Sequence, residues 1–151
     1  GANRGASGID GTIASAIGFQ KGLQAPVTLV IGDLAFLHDL NSLSLLQSVN
    51  HPFVIVLVNN NGGGIFSFLP IGQFPQTFEK YFGTPHDLNL AKLVQGFGLS
   101  YFSPQSLTDF KKLYQKAITQ KVCAVIEVKT DRTKNYQIQK ELERFLLDAH
   151  S

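Results

Sequence analysis

Apolar residues in this chain fall into blocks of two kinds. Residues 27–31, 53–58 and 122–128 are nearly unbroken apolar runs rich in valine and isoleucine, and 98–102 is a shorter, partly aromatic one. Runs of this length without alternation predict strands covered on both faces, as in a parallel sheet. Between them, apolar residues recur at helical spacing. Residues 12–23 place Ile13, Ala16, Ile17 and Gln20 on one side, and 34–49 carry Leu37, Leu40, Leu43, Leu45 and Leu46. Residues 88–97 repeat the pattern with Leu90, Leu93, Val94 and Phe97. In 106–119, Leu107, Phe110, Leu113, Tyr114 and Ala117 oppose the lysines, and 136–149 carries Ile138, Leu142, Phe145 and Leu146. Helix and strand thus alternate along the whole chain. That order predicts an α/β fold with a doubly wound, mostly parallel sheet. A right-handed crossover should join the strands at 27–31 and 53–58.

The segments between these blocks are equally patterned. Residues 1–11 hold four glycines, which let backbone approach a ligand closely. Residues 59–76 are loop-like, yet Ile65-Phe66-Ser67-Phe68-Leu69 inside them is unusually apolar. Such a patch packs as a short helix or faces a ligand. Residues 83–87 read as a turn, and 130–133 as a polar loop after the last strand. No strand precedes the first helix, and no methionine is present. We therefore expect one domain over 1–151, N-terminally incomplete and part of a longer polypeptide.

Composition narrows the function. Apolar content is 44% and charged content 16%, as in an ordinary folded domain. The net charge of +2 is spread without a basic stripe, which argues against nucleic acid as a partner. The apolar runs are far too short for a membrane span. A single cysteine, Cys123, lies within an apolar run and reads as a buried structural thiol. A reducing, cytoplasmic setting fits it.

The chemistry gathers where strands end. Gly32-Asp33 closes the run at 27–31, and Asn59-Asn60-Asn61-Gly62-Gly63-Gly64 closes the run at 53–58. In an open α/β sheet, ligands bind at the carboxyl edge of the strands. A carboxylate, an amide oxygen and a backbone carbonyl are hard oxygen donors, suited to a small divalent cation that also holds phosphate. Each half is ordinary alone: Asp is a favoured helix cap, and Asn with Gly tolerates turn geometry. Their conjunction in one strand–helix–strand unit points to magnesium and a diphosphate.

Gly-Asp followed at this distance by Asn-Asn resembles the cofactor motif of the thiamine diphosphate enzymes. Leu34 stands where that motif usually has glycine. Residues 3–11, Gly32-Asp33-Leu34 with His38-Asp39-Leu40-Asn41, residues 59–67, Phe82-Gly83-Thr84-Pro85-His86 and Thr130-Asp131-Arg132 are similar to one branch of the family. That branch joins 2-oxoglutarate, after decarboxylation, to isochorismate in menaquinone biosynthesis.

The resemblance implies a transferase using thiamine diphosphate with Mg²⁺ or Mn²⁺. It implies Asp33, Asn60 and the Gly62 carbonyl as metal ligands. Ser7, Ile9, Gly32, Asp33, Leu34, Ala35, Asn60, Gly62 and Gly63 would hold the cofactor, with Ile9 as the apolar support beneath it. Arg4 would contact a substrate carboxylate, while Ile65, Phe66 and Leu69 would line the substrate pocket. No catalytic residue is expected in this chain. The activating glutamate would lie on a pyrimidine-binding domain of a second subunit, in a homodimer or homotetramer, and this segment alone would be inactive. The alternatives are another thiamine diphosphate enzyme (acetolactate synthase-like or a 2-oxo acid decarboxylase) and a non-catalytic nucleotide-binding or scaffold domain. His38 and Asp39 are candidates for supporting the metal site or for a solvated helix face. His86 reads as a turn residue.

Overall fold

The computed structural model describes residues 8–148. The expectations for Arg4 and Ser7 therefore lie outside the described residues. In chain order the elements are α1 (Thr12–Leu23), β1 (Val27–Gly32), α2 (Asp33–His38), a 3-10 segment Leu40–Ser48 and β2 (Phe53–Asn59). Short 3-10 turns at Gly64–Phe68 and Pro70–Gln73 follow, then α3 (Pro75–Phe78) and a wide turn at Glu79–Gly83. The chain ends with α4 (Leu90–Gly96), β3 (Ser100–Phe102), α5 (Leu107–Thr119), β4 (Ala124–Lys129) and α6 (Arg132–Asp148). Two compact units result. The first comprises Gly1–Asn59 and Leu88–Val128, the second Asn60–Asp87 and Lys129–Ser151. Among the described residues no helix is long and apolar enough to cross a membrane.

The first unit is built on a four-stranded sheet of order β1-β2-β4-β3. β1 and β2 run parallel, with Val27 paired to Phe53 and Gly32 to Val58. β3 and β4 are also parallel, with Ser100 paired to Ala124 and Phe102 to Ile126. The alternation of side chains along a strand divides the core in two. Phe53, Ile55 and Leu57 of β2 pack with Ile13 and Ile17 of α1, Phe36 of α2, Leu43 and Leu46, and Leu90 and Val94 of α4. Val54 turns to the other face, where it meets Ala117 of α5 together with Ala124 and Ile126 of β4. Helices therefore cover both faces, as a doubly wound sheet requires. Each of these fully buried Ile, Leu and Phe side chains contributes about 1.5–3 kcal/mol, so β2 and β4 are the backbone of the fold.

Two expectations are corrected within this unit. β1 is not covered on both faces. It is an edge strand among the described residues, and Val30 is 66% exposed. The segment 34–49 is not one helix. α2 stops at His38, Asp39 takes φ −120° and ψ 24°, and a 3-10 segment continues. The break has a local cause. α1 begins after Gly11, which has no side chain with which to cap it. Asp39 supplies the missing acceptor. Its Oδ2 takes the amides of Ile13 at 2.6 Å and Ala14 at 3.0 Å, and its Oδ1 takes the Ser42 hydroxyl at 2.5 Å. A buried carboxylate thus caps a helix far away in sequence, and the chain bends to deliver it. Gln20 plays a parallel part at the other end of α1, donating to the carbonyls of His51 and Pro52 just before β2.

In the second unit the expected loop at 59–76 contains two 3-10 turns, and helical turns extend through 75–83. The expected loop at 130–133 is also shorter than read, because α6 starts at Arg132. Arg132 Nη2 pairs with Glu79 Oε2 at 2.9 Å, and Phe68 packs against Tyr136 with ring centroids 5.3 Å apart. These contacts join α6 to the 60–87 segment.

Candidate cofactor site

The first unit supplies Asp33. It follows β1 directly and is 3% exposed. Gly32, with φ −80° and ψ 162°, occupies the capping position of α2, and no side chain caps that helix. The aspartate is thus one residue too late for the capping role that its residue type suggests. Its Oδ1 accepts the neighbouring Leu34 amide at 2.8 Å. The pairing of Gly32 with Val58 puts Asp33 and Asn59 one residue past the same rung, at the carboxyl edge of adjacent parallel strands. Leu34 and Ala35 follow in α2, half-buried. Ile9 is largely exposed ahead of α1.

The second unit begins at Asn60, and this residue is out of the ordinary. Its Oδ1 is buried and has no hydrogen-bond partner. A buried amide oxygen without a partner costs about 1–3 kcal/mol, so such atoms are rare unless a ligand takes them. The residues around it are firmly held. Asn61, left-handed at φ 59°, donates from Nδ2 to Asp87 Oδ1 at 2.8 Å. Its own Oδ1 accepts the amides of His86 at 3.2 Å and Asp87 at 3.0 Å. His86 is held here through its backbone amide.

At Gly62 and Gly63 any side chain would press on neighbouring backbone. Gly62 has φ +130°, and a β-carbon there would lie 2.0 Å from the Gly83 carbonyl oxygen. At Gly63 it would lie 2.2 Å from the Phe82 carbonyl oxygen, because the Gly63 amide donates to Gly83 O at 2.7 Å. The Gly62 carbonyl accepts the Gly64 amide at 3.0 Å across an inverse γ-turn, with Gly63 at φ −79° and ψ 64°.

The apolar loop residues are turned outward. Ile65 is 75% exposed, with Phe66 and Leu69 also exposed, and Phe66 rests edge-on against Phe82 at 5.9 Å. Leu69 also lines a cavity of about 430 Å³ within this unit, with Phe68, Glu79, Arg132, Tyr136 and Lys140. Ile65 and Phe66 do not line it.

One cluster escaped the sequence reading. Glu127 of β4 is 3% exposed. Its Oε1 accepts Asn59 Nδ2 at 2.6 Å, and its Oε2 accepts a hydrogen bond from the Tyr101 hydroxyl. Burial, and then the hydrogen bond to this carboxylate, push the Tyr101 phenol up to about 12. The signal lay in the sequence as a single carboxylate inside the apolar run 122–128. Cys123, by contrast, behaves as its surroundings suggest. It is half-buried, it packs against the core, and burial raises its thiol pKa. Asp39, as described above, caps α1 and does not face solvent.

The candidate donors are one carboxylate in the first unit, and one amide oxygen and one carbonyl in the second. Among the described residues no three His, Cys, Asp or Glu side chains form a metal cluster. The unpartnered Asn60 oxygen fits a divalent cation of the oxygen-seeking kind.

This fold and these strand-end donors define a cofactor-binding α/β domain. The chain belongs to the family described as thiamine pyrophosphate enzyme, C-terminal TPP binding domain, whose model matches residues 3–128. Its cofactor is therefore thiamine diphosphate. Among its relatives, the 2-succinyl-5-enolpyruvyl-6-hydroxy-3-cyclohexene-1-carboxylate synthase of Prosthecochloris aestuarii is 49% identical over 146 residues, covering 97% of this chain and 25% of that protein. The synthase of the same name from Rubrobacter xylanophilus is 51% identical over 143 residues, covering 95% of this chain and 25% of that protein. The chain thus spans about a quarter of the length of the curated relatives it matches. The fold is similar to that of the thiamine diphosphate-dependent 4-hydroxybenzoylformate decarboxylase of Rhodococcus jostii RHA1, with a TM-score of 0.67 and 23% identity over 80% of this chain and 23% of that one. Benzoylformate decarboxylase from Polynucleobacter necessarius gives a TM-score of 0.65 at 22% identity, with the same coverage. At that identity the likeness speaks for the fold alone.

Proposed function

We propose that this chain is the diphosphate-binding part of a 2-succinyl-5-enolpyruvyl-6-hydroxy-3-cyclohexene-1-carboxylate synthase. In this reading the whole protein decarboxylates 2-oxoglutarate and adds the remaining succinyl unit to isochorismate, in the cytoplasm. The observation that carries the site assignment is the buried, unpartnered Oδ1 of Asn60. The identity to synthases of that name supports the choice of substrates.

Asp33, Asn60 and the Gly62 carbonyl would hold Mg²⁺ or Mn²⁺ on the cofactor diphosphate. Gly32, Leu34, Ala35 and Gly63, with Ser7 and Ile9, would complete its binding. Bound thiamine diphosphate supplies the carbanion chemistry, and the protein supplies binding, orientation and electrostatics. The chain's own contribution is positional. Asp33 presents a carboxylate from a rigid strand end. Gly62 and Gly63 let the backbone turn tightly enough to offer a carbonyl. Ile65, Phe66 and Leu69 offer an apolar wall that would exclude water from the substrate, and Arg4 would pair with a substrate carboxylate. Proton transfer belongs to a glutamate on a pyrimidine-binding domain of a second subunit, so the working enzyme is a homodimer or homotetramer.

Turnover by the full-length protein separates the readings. With Mg²⁺ and thiamine diphosphate present, carbon dioxide release should require 2-oxoglutarate, and product should form only when isochorismate is added. Turnover of pyruvate in place of 2-oxoglutarate would move the protein to another thiamine diphosphate activity.

A further inference from the structure

Glu127 is an acid where the packing asks for none. It lies in the apolar strand Ala124-Val125-Ile126-Glu127-Val128 and is almost fully buried. A carboxylate taken out of water costs several kcal/mol unless strong hydrogen bonds replace its hydration. Two of its hydrogen bonds run to different strands. Asn59 Nδ2 comes from the end of β2, and the Tyr101 hydroxyl from β3. β4 lies between those two strands in the sheet. One side chain on the middle strand therefore fastens the carboxyl ends of both neighbours.

Hydrogen bonds to both oxygens of one buried carboxyl group hold it in a single orientation. This tie is thus well suited to fixing a geometry. What it fixes is Asn59, which shares a peptide bond with Asn60. We infer that Glu127 is a positioning residue: with Tyr101 steadying it, it sets the end of β2 from which the cation donor Asn60 departs. The inference rests on the reading of Asn60 as a metal ligand. A buried carboxylate serving only stability would be replaceable by an apolar side chain. One that aims a metal donor would not be.

The experiment uses the full-length protein and reads the Mg²⁺ concentration that half-saturates thiamine diphosphate binding, by calorimetry and without substrate. Melting temperature is read in parallel. Glu127→Ala should raise that concentration by about tenfold, the lower end of what supporting shells around metals contribute. Glu127→Gln keeps an acceptor for Asn59 and should recover part of the loss. Tyr101→Phe should raise the concentration by a smaller factor with little change in melting temperature. Should Glu127→Ala fail to fold, Tyr101→Phe and Glu127→Gln carry the test. Variants that melt earlier yet keep the wild-type Mg²⁺ requirement would overturn the inference. Asp33→Ala is the control. If it retains Mg²⁺-dependent binding, the metal-site reading itself fails and the inference falls with it. If it loses that binding while the Glu127 and Tyr101 variants keep theirs, only the inference fails.

Discussion

The two units of this chain differ in how deeply they bury their apolar residues. In the sheet unit, Phe53, Val54, Ile55 and Leu57 are fully buried along one strand, with helices on both faces. In the unit formed by residues 60–87 and α6, Ile65, Phe68, Leu69, Phe74, Phe145 and Leu147 are all exposed. The first pattern is that of a scaffold. The second leaves an apolar surface open. Of the candidate donors, Asp33 follows the end of β1 in the first unit, and Asn60 opens the second, next after Asn59 at the end of β2. Rigid strands thus lead into a backbone whose shape is set by glycines and an asparagine latch.

Mutation should sharpen this contrast, and the largest loss belongs to the scaffold. Phe53→Ala removes a wholly buried ring between α1 and the sheet, and should destabilise the full-length protein by about 3–5 kcal/mol, read by denaturant unfolding. Asp39→Ala leaves the first amides of α1 without an acceptor and should cost about 2 kcal/mol. A drop within experimental error would mean that Asp39 is not the cap. Gly62→Ala meets both a positive φ and the Gly83 carbonyl, and should cost about 1–3 kcal/mol while also weakening thiamine diphosphate binding. Stability loss without a binding change would separate this loop from the site. Ile65→Ala should fall within about 0.5 kcal/mol of wild type, but raise KM for 2-oxoglutarate. A large stability loss there would contradict the surface reading of the second unit.

The scaffold was legible in the sequence because its strands are apolar runs and its helices keep a regular spacing. The register of α1 and the existence of α5 followed directly. The break at Asp39 did not, because its cause is a partner in α1, and spacing within a segment says nothing about distant acceptors. β1 read as a central strand because Val30 looks the same on a covered or an open face. The turns at 75–83 carry no long apolar period and gave no signal. For the candidate site, Asp33, Asn60 and the glycines stood out in the sequence because strand ends followed by polar or glycine residues are unusual together. Glu127 was missed because it sat inside a run that otherwise spelled a strand. Arg132 was read as loop because its partner Glu79 lies in the other segment of its unit.

In the proposed function, Asp33 and Asn60 would hold the cation that anchors the cofactor diphosphate. Calorimetric titration of thiamine diphosphate into the full-length protein, with and without Mg²⁺, tests it most directly. Wild type should bind only with the cation present, and Asn60→Ala should lose that Mg²⁺-dependent binding while melting no earlier, since it removes a buried oxygen with no partner. Unchanged Mg²⁺-dependent binding in Asn60→Ala would contradict the account.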